Sequence, residues 1–271
     1  MHRETNIGFI GGGNMGEALI KGFLRTPLVE PDRILVFDVS ADRLQHLKTA
    51  YGISVCSDAG DAARRSDVLI LAVKPQTMSS VLEEVTSNLS SQPLVISIAA
   101  GITLSTIQAA LPEGTPVVRV MPNTPALIQE GAAALARGAF VDDNRMHDAM
   151  ALLQAVGTVV EVDEKWMDAV TGLSGSGPGF VLLLLESFID AGVLVGLPRQ
   201  VARDLTLQTV LGTVKMARKT GKHPGELKDM ITSPAGTTIR GLQVLEERGV
   251  RGTIIAAVEA AASRSGELGR K

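Results

Sequence analysis

Two short polar segments in this 271-residue chain combine residue types able to hold and orient a small ligand. One is Thr232-Ser233-Pro234-Ala235-Gly236-Thr237-Thr238, which runs into the apolar-periodic stretch IRGLQVLEE. It reads as a loop feeding a helix N-terminus, where hydroxyls and free backbone N–H groups converge. A single Ser or Thr there would be an ordinary cap. Four hydroxyl residues beside Gly236 exceed that need and suit a carboxylate ligand on the helix N-terminus. Thr238 is then placed to hydrogen-bond a substrate nitrogen. The other segment is Thr171-Gly172-Leu173-Ser174-Gly175-Ser176-Gly177-Pro178, with Ser176 a candidate substrate contact. Three glycines and a proline are costly inside a helix, and a kink or a close helix crossing is the competing explanation.

A third segment addresses a different ligand. Gly11, Gly13 and Gly16 stand in G-x-G-x-x-G register around Asn14 and Met15, between an apolar strand and a helical pattern. The first glycine permits a tight turn, the second a close approach to a pyrophosphate, and the third close packing of helix on strand. The phosphates of a dinucleotide would sit on the free N–H groups of that helix. Asp38 ends the next strand, where a carboxylate accepts from ribose hydroxyls and repels a 2′-phosphate, favouring NADH. Ser40 and Arg43, just downstream, are candidate contacts to that same phosphate and favour NADPH, so the preference between the two stays open. Ala72-Val73-Lys74-Pro75, Ala99-Ala100-Gly101 and Met121-Pro122-Asn123-Thr124-Pro125 follow later strands, where open α/β sheets bind ligands. Their small residues let backbone lie against a cofactor, and Asn123 adds amide donors and an acceptor.

The elements that must position these segments are visible as periodicity. Strands are predicted at 6–11, 33–38, 53–56, 68–73, 94–98 and 117–121, with helices at 14–25 and 41–50 and helical or polar linkers between the rest. Near-continuous apolar runs such as VLILAV belong to parallel strands covered on both faces. Alternation with helices predicts an α/β, doubly wound, mostly parallel sheet. From about Val162 the pattern becomes all-helical, over 165–194, 199–219, 236–247 and 254–268. The expected division is therefore a dinucleotide-binding domain over 1–162 and a helical domain over 163–271. The apolar run 180–197, interrupted by Glu186 and Asp190, reads as a buried helix too short and too charged to span a bilayer.

Composition narrows the classes further. A formal net charge of −3 and 3% aromatic residues give no electrostatic or stacking basis for nucleic acid. Cys56 is the only cysteine, which fits a reducing cytoplasm and reads as a small buried hydrophobe. The N-terminus runs almost at once into a core strand, with no signal-peptide pattern. His2, His46, His147 and His223 show no metal-ligand spacing, no metal site is expected, and His223 before Pro224 reads as a helix start.

Over nearly its whole length the chain resembles the pyrroline-5-carboxylate reductase family. The most specific segments are DAVTGLSGSGP (168–178) and MITSPAGTTIRGLQVLE (230–246), with AVKP (72–75) and MPNTP (121–125) in matching order. The resemblance implies a Rossmann-type domain followed by a helical domain that intertwines in a homodimer, with larger rings of dimers also known in the family. It implies that NAD(P)H reduces 1-pyrroline-5-carboxylate to proline by hydride transfer to imine C5. Ser233, Gly236, Thr237 and Thr238 would hold the carboxylate and the ring nitrogen, with Thr238 the catalytic hydroxyl. The chain departs from the family pattern at Asp38, where Asn is frequent. Ala235 stands at a common glycine, and Gly179-Phe180 at a common Ala-Tyr pair. Two other readings compete. One is a β-hydroxyacid dehydrogenase-like enzyme using Lys165 or Lys215, and the other is a dinucleotide sensor without turnover.

Overall fold

The computed structural model describes residues 5–26, 29–89 and 92–269. Four-residue, almost wholly apolar segments build its central strands: β1 (Ile7–Ile10), β2 (Ile34–Phe37), β4 (Val68–Leu71) and β5 (Leu94–Ser97), the last ending on a buried serine. β3 (Ser54–Val55) is a short edge strand, and β6 (Val117–Met121) extends the opposite side. Together with β7 (Gly131–Arg137) and β8 (Gly157–Glu161) they form one sheet of order β3-β2-β1-β4-β5-β6-β7-β8. All neighbours run parallel except β6 and β7.

The helices expected after β1 and β2 form as α1 (Asn14–Arg25) and α2 (Ala41–Tyr51). Three shorter helices connect the next strands: α3 (Ala59–Arg65), α4 (Met78–Thr86) and α5 (Leu104–Ala110), followed by α6 (Asp143–Gln154) before β8. Alternation along each strand sends side chains to two cores, one on each face of the sheet. On one face Ile7 and Phe9 pack with Leu19, Ile20 and Phe23 of α1; on the other Ile10, Leu69 and Leu71 pack with Ala62, Met78 and Leu82. Burying Phe9, Leu19 and Phe23 completely contributes roughly 1.5–3 kcal/mol per side chain. That burial fixes α1, and with it the loop that α1 begins from.

Periodicity misses two strands. β7 reads GAAALAR, and alanine has little strand preference; its pairing comes from the neighbouring ladders. β8 is a half-exposed edge without a continuous apolar run.

Contacts divide the chain into two compact units: Met1–Ser176 with Glu259–Lys271, and Gly177–Val258. The first unit therefore extends beyond the last strand, through a 3-10 turn (Glu164–Trp166), α7 (Met167–Val170) and a π-helical turn (Thr171–Gly175). It also takes in the end of the last helix, where Ser265 Oγ donates to Asp168 Oδ1 at 2.7 Å. The second unit contains α8 (Gly177–Leu194), α9 (Arg199–Thr220), α10 (Pro224–Met230) and α11 (Thr237–Glu247). Helix α12 (Val250–Gly269) starts in this unit and ends in the first.

The expectation that the apolar run is a buried helix fails in the single chain. No residue of α8 is buried, and Leu182, Leu183 and Phe188 are each more than half exposed. An apolar helix face of this kind needs cover from outside the chain. Taken with the turns before it, the helical stretch Glu164–Leu194 is long and apolar enough to cross a membrane by length and composition only, a longer span than the 180–197 run read from the sequence.

Ala235, where the family pattern has glycine, sits at φ +57, a left-handed conformation that penalises a Cβ. Ala235→Gly is therefore expected to stabilise the protein by about 1 kcal/mol. Thermal unfolding at one fixed protein concentration checks this, and a lowered melting temperature would contradict it.

Candidate functional site

The chain reverses direction across the sheet between β1 and β4, and the loops after these two strands open a cleft there. Gly11 closes β1 at φ +101, and its N–H donates to Phe37 O at 2.8 Å. A Cβ on Gly11 would lie 2.5 Å from Ala72 O, and one on Gly16 would lie 2.6 Å from Gly11 O. Backbone thus fills the space where side chains would be. Around Gly13 the opposite holds, since a Cβ there would meet nothing within 4 Å. Gly13 is also the N-cap of α1 and supplies no capping side chain. The first-turn N–H groups at Asn14 and Met15 are left for a ligand. The cleft of about 560 Å³ is lined by Gly11, Gly13, Asp38, Ala72, Val73 and Lys74, among others. A narrow, uncapped helix start beside an open glycine fits a pyrophosphate.

Asp38 is built into this loop. Its Oδ2 accepts from Gly12 N at 2.7 Å and its Oδ1 from Ser40 N at 2.9 Å. The Ser40 hydroxyl accepts from Arg43 N at 3.3 Å, so it caps α2. The Arg43 guanidinium donates to the carbonyls of Gly12 and Gly13 and to the Glu17 carboxylate. Ser40 and Arg43, the expected phosphate contacts, thus also have protein partners here: the Ser40 hydroxyl accepts and keeps its own O–H, while Arg43 Nε and Nη2 are engaged. Glu17 carries no functional signal in the sequence, because an acid in the first turn of a helix ordinarily complements the dipole. In the fold Glu17 also accepts from Tyr51 Oη at 2.8 Å and lies 3.1 Å from His46 Nε2. Burial pushes its carboxyl up, yet the bonds from Tyr51, Arg43 and His46 outweigh that and hold it down at about 2.

A second cavity of about 360 Å³ in the same unit is lined by Pro75, Gln76, Ala100, Gly101, Thr171 and Ser176, with Arg264 and Ser265 from α12. The Ala72–Pro75 loop thus lines both cavities. Ala99 is buried and lines neither. Within the π-helical turn the hydroxyls of Thr171 and Ser174 donate back to Met167 O and Val170 O. The Ser176 hydroxyl makes no such bond among the described residues. The Asn123 amide has two protein partners: Nδ2 donates to Ser174 O at 3.1 Å and Oδ1 accepts from Ala132 N at 2.8 Å. It pins the glycine-rich turn to the sheet, a positioning task that its residue type alone did not reveal.

In the second unit, the loop before α11 keeps its polar groups free. Thr232 Oγ1 donates to Lys228 O and Asp229 O and so closes α10. Gly236 is the N-cap of α11 and provides no side-chain cap. The hydroxyls of Ser233, Thr237 and Thr238 bond no protein group among the described residues. A Cβ on Gly236 would fall 2.3 Å from Ser233 Oγ, so the turn requires a residue without one. Free hydroxyls beside an uncapped helix start can bind a carboxylate and a hydrogen-bond acceptor together.

Other expected positions resolve simply. Cys56 is buried, and burial, with Asp61 beside it, pushes its thiol up to about 11. His223 caps α10, accepting from Gly225 N at 3.1 Å; His2 lies outside the described residues. Lys165 pairs with Asp163 at 2.9 Å and stands over the Trp166 ring, and Lys215 is exposed on α9. No group of three or more metal-ligating side chains occurs among the described residues.

A doubly wound sheet with a glycine cleft at its switch point, followed by a helical unit, defines a Rossmann-type two-unit protein. Residues 164–268 match the family model for pyrroline-5-carboxylate reductase dimerisation, and residues 6–101 match one described as NADP oxidoreductase coenzyme F420-dependent. The pyrroline-5-carboxylate reductase of Methanosarcina acetivorans is 52% identical over 99% of both chains. Among solved structures, the reductase of Coxiella burnetii superposes with a TM-score of 0.92 at 38% identity, over 98% of each chain. That of Plasmodium falciparum, with NADP bound, does so with a TM-score of 0.89 at 34% identity, over 99% of this chain and all of the other. The chain belongs to the pyrroline-5-carboxylate reductase family.

The low Glu17 pKa has a testable sign. A carboxylate held at about 2 when folded, against 4.5 otherwise, contributes stability that is complete above pH about 4.5. That contribution is lost as pH falls toward 2. The stability gap between the native chain and Glu17→Gln should therefore shrink across this window in denaturant titrations. A gap independent of pH would contradict the arrangement.

Proposed function

We propose that this chain reduces 1-pyrroline-5-carboxylate to L-proline with NADH or NADPH as the hydride source. The observation that carries the reading is the Ser233–Thr238 turn, whose free hydroxyls stand at the uncapped start of α11. The family relationship is what selects this substrate over other small carboxylates.

The glycine cleft would hold the pyrophosphate on the Asn14 and Met15 N–H groups, with Asp38 toward the adenosine ribose. Ala72, Val73, Lys74, Pro75 and Ala100 would line the path toward the nicotinamide. When bound, a reduced nicotinamide supplies hydride to C5 of the ring. The N–H groups at Gly236 and Thr237, with the Ser233 hydroxyl, would hold the substrate carboxylate at the positive end of α11. The Thr238 hydroxyl would donate a hydrogen bond to the ring nitrogen, orienting the C=N bond, and the nitrogen would take up one proton from solvent to balance the hydride at C5. Ser176 is assigned to the substrate end of the second cavity. Nothing in this set requires a metal or a histidine.

The partner is a second copy of the chain. Its helical unit would cover the apolar face of α8, in keeping with the dimerisation model that the segment matches. Covering several half-exposed leucines in this way stabilises far more than any polar rim contact. Rings of such dimers are the larger assembly open to it. The charges of Glu186 and Asp190 along α8 favour a protein partner over lipid, and the net charge of −3 disfavours nucleic acid. A single buried cysteine suits a reducing cytoplasm.

Loss of absorbance at 340 nm with 1-pyrroline-5-carboxylate, run with each dinucleotide, tests the activity directly. No oxidation with either, while nucleotide still binds, would overturn it. Thr238→Ala is expected to lower kcat by one to three orders of magnitude, on the order of 1.4–4 kcal/mol, with nucleotide affinity unchanged. Unchanged turnover in that variant would remove Thr238 from the mechanism. Asp38→Ser should raise kcat/KM with NADPH relative to NADH, and an unmoved ratio would show that Asp38 does not discriminate.

A further inference from the structure

We propose that Glu17 sets the dinucleotide preference by latching Arg43, the one cation of the 38–43 segment, away from the adenosine 2′ position. The inference rests on the reading of the glycine cleft as a dinucleotide site and adds a determinant that lies outside the segment expected to discriminate.

In that segment Asp38 and Asp42 are acidic and Arg43 alone is basic. A 2′-phosphate carries a charge near −1.5 to −2, so a guanidinium free to reach it would favour NADPH. Arg43 is not free. Its Nε donates to Gly12 O, and Nη2 reaches both Gly13 O and the Glu17 carboxylate. The Arg43 side chain is only 24% exposed and Glu17 22%. Glu17 is in turn held ionised by Tyr51 and by His46, so the latch carries its charge throughout the neutral range. Ser40 caps α2 by accepting from Arg43 N, so its neutral hydroxyl offers a phosphate one hydrogen bond and no charge. With Arg43 neutralised, the 2′ position faces the Asp38 carboxylate unopposed. Glu17 is thus a specificity-determining residue that touches Arg43 and not the nucleotide.

Two nucleotide fragments read the latch without turnover: 5′-AMP and adenosine 2′,5′-bisphosphate, titrated calorimetrically into the full-length protein. In Glu17→Gln the bisphosphate should gain about tenfold over 5′-AMP, the effect of one charge-assisted hydrogen bond. Adding Arg43→Ala to that variant should abolish the gain. Arg43→Ala alone should leave the ratio of the two affinities within about twofold of the native chain. A selective loss of bisphosphate binding in that single variant would overturn the proposal, since Arg43 would already be serving the phosphate. An unchanged ratio in Glu17→Gln, with 5′-AMP still bound, would overturn it equally. Should Glu17→Gln lose 5′-AMP binding through loosening of the loop, the Arg43→Ala ratio decides alone. Failure of the native chain to bind either fragment would instead reject the dinucleotide site itself.

Discussion

Everything that positions the first site depends on how closely the backbone after β1 approaches the backbone after β4. With Ala72 O 2.5 Å from where a Gly11 Cβ would stand, and Gly11 O 2.6 Å from that of Gly16, two glycines are required by contact alone. The approach is possible because α1 is driven onto the sheet by the buried Leu19, Ile20 and Phe23. Packing energy on one face of the helix is thereby converted into an open, uncapped N-terminus at its end. Asp38 and Arg43 then brace the loop from the side through Gly12, so the polar residues nearest the cleft serve its shape as well as its ligand.

The two candidate sites share one physical device. At Gly13 and again at Gly236, a glycine occupies the N-cap position of a helix and withholds the side chain that would satisfy its first N–H groups. Elsewhere in the same chain, Ser40, Asp58, Thr103 and Asp142 cap their helices in the usual way. The contrast sets these two glycine starts apart from those that a side chain closes. In the proposed reaction, orientation and hydrogen bonding at such fixed donors would carry the load.

Much of the first unit was legible because parallel strands buried on both faces announce themselves as apolar runs, and because glycine spacing has few alternative explanations after a strand. The bounds of α1 and of β6 follow the sequence pattern residue for residue. The alanine-rich β7 was not legible, since its pairing is decided by neighbours and not by its own residues. Nor was the role of Asn123, an amide consumed by Ser174 O and Ala132 N, or that of Glu17, whose partners lie on α2. Long-range polar partners leave no periodic trace. The apolar face of α8 misled in the other direction. Its hydrophobicity suggests a buried helix, yet no residue of α8 is buried in the single chain, and the cover proposed for it, a second copy, is one that no pattern within one sequence can locate.

The central claim is that the start of α11 recognises a carboxylate while the ring is reduced. Comparing kcat/KM for 1-pyrroline-5-carboxylate with that for 1-pyrroline, which lacks the carboxylate, tests it most directly. Several charge-assisted contacts of about 1.5–3 kcal/mol each should make the carboxylate substrate at least a hundredfold better. Equal values for the two rings would show that the α11 turn is not the substrate's anchor.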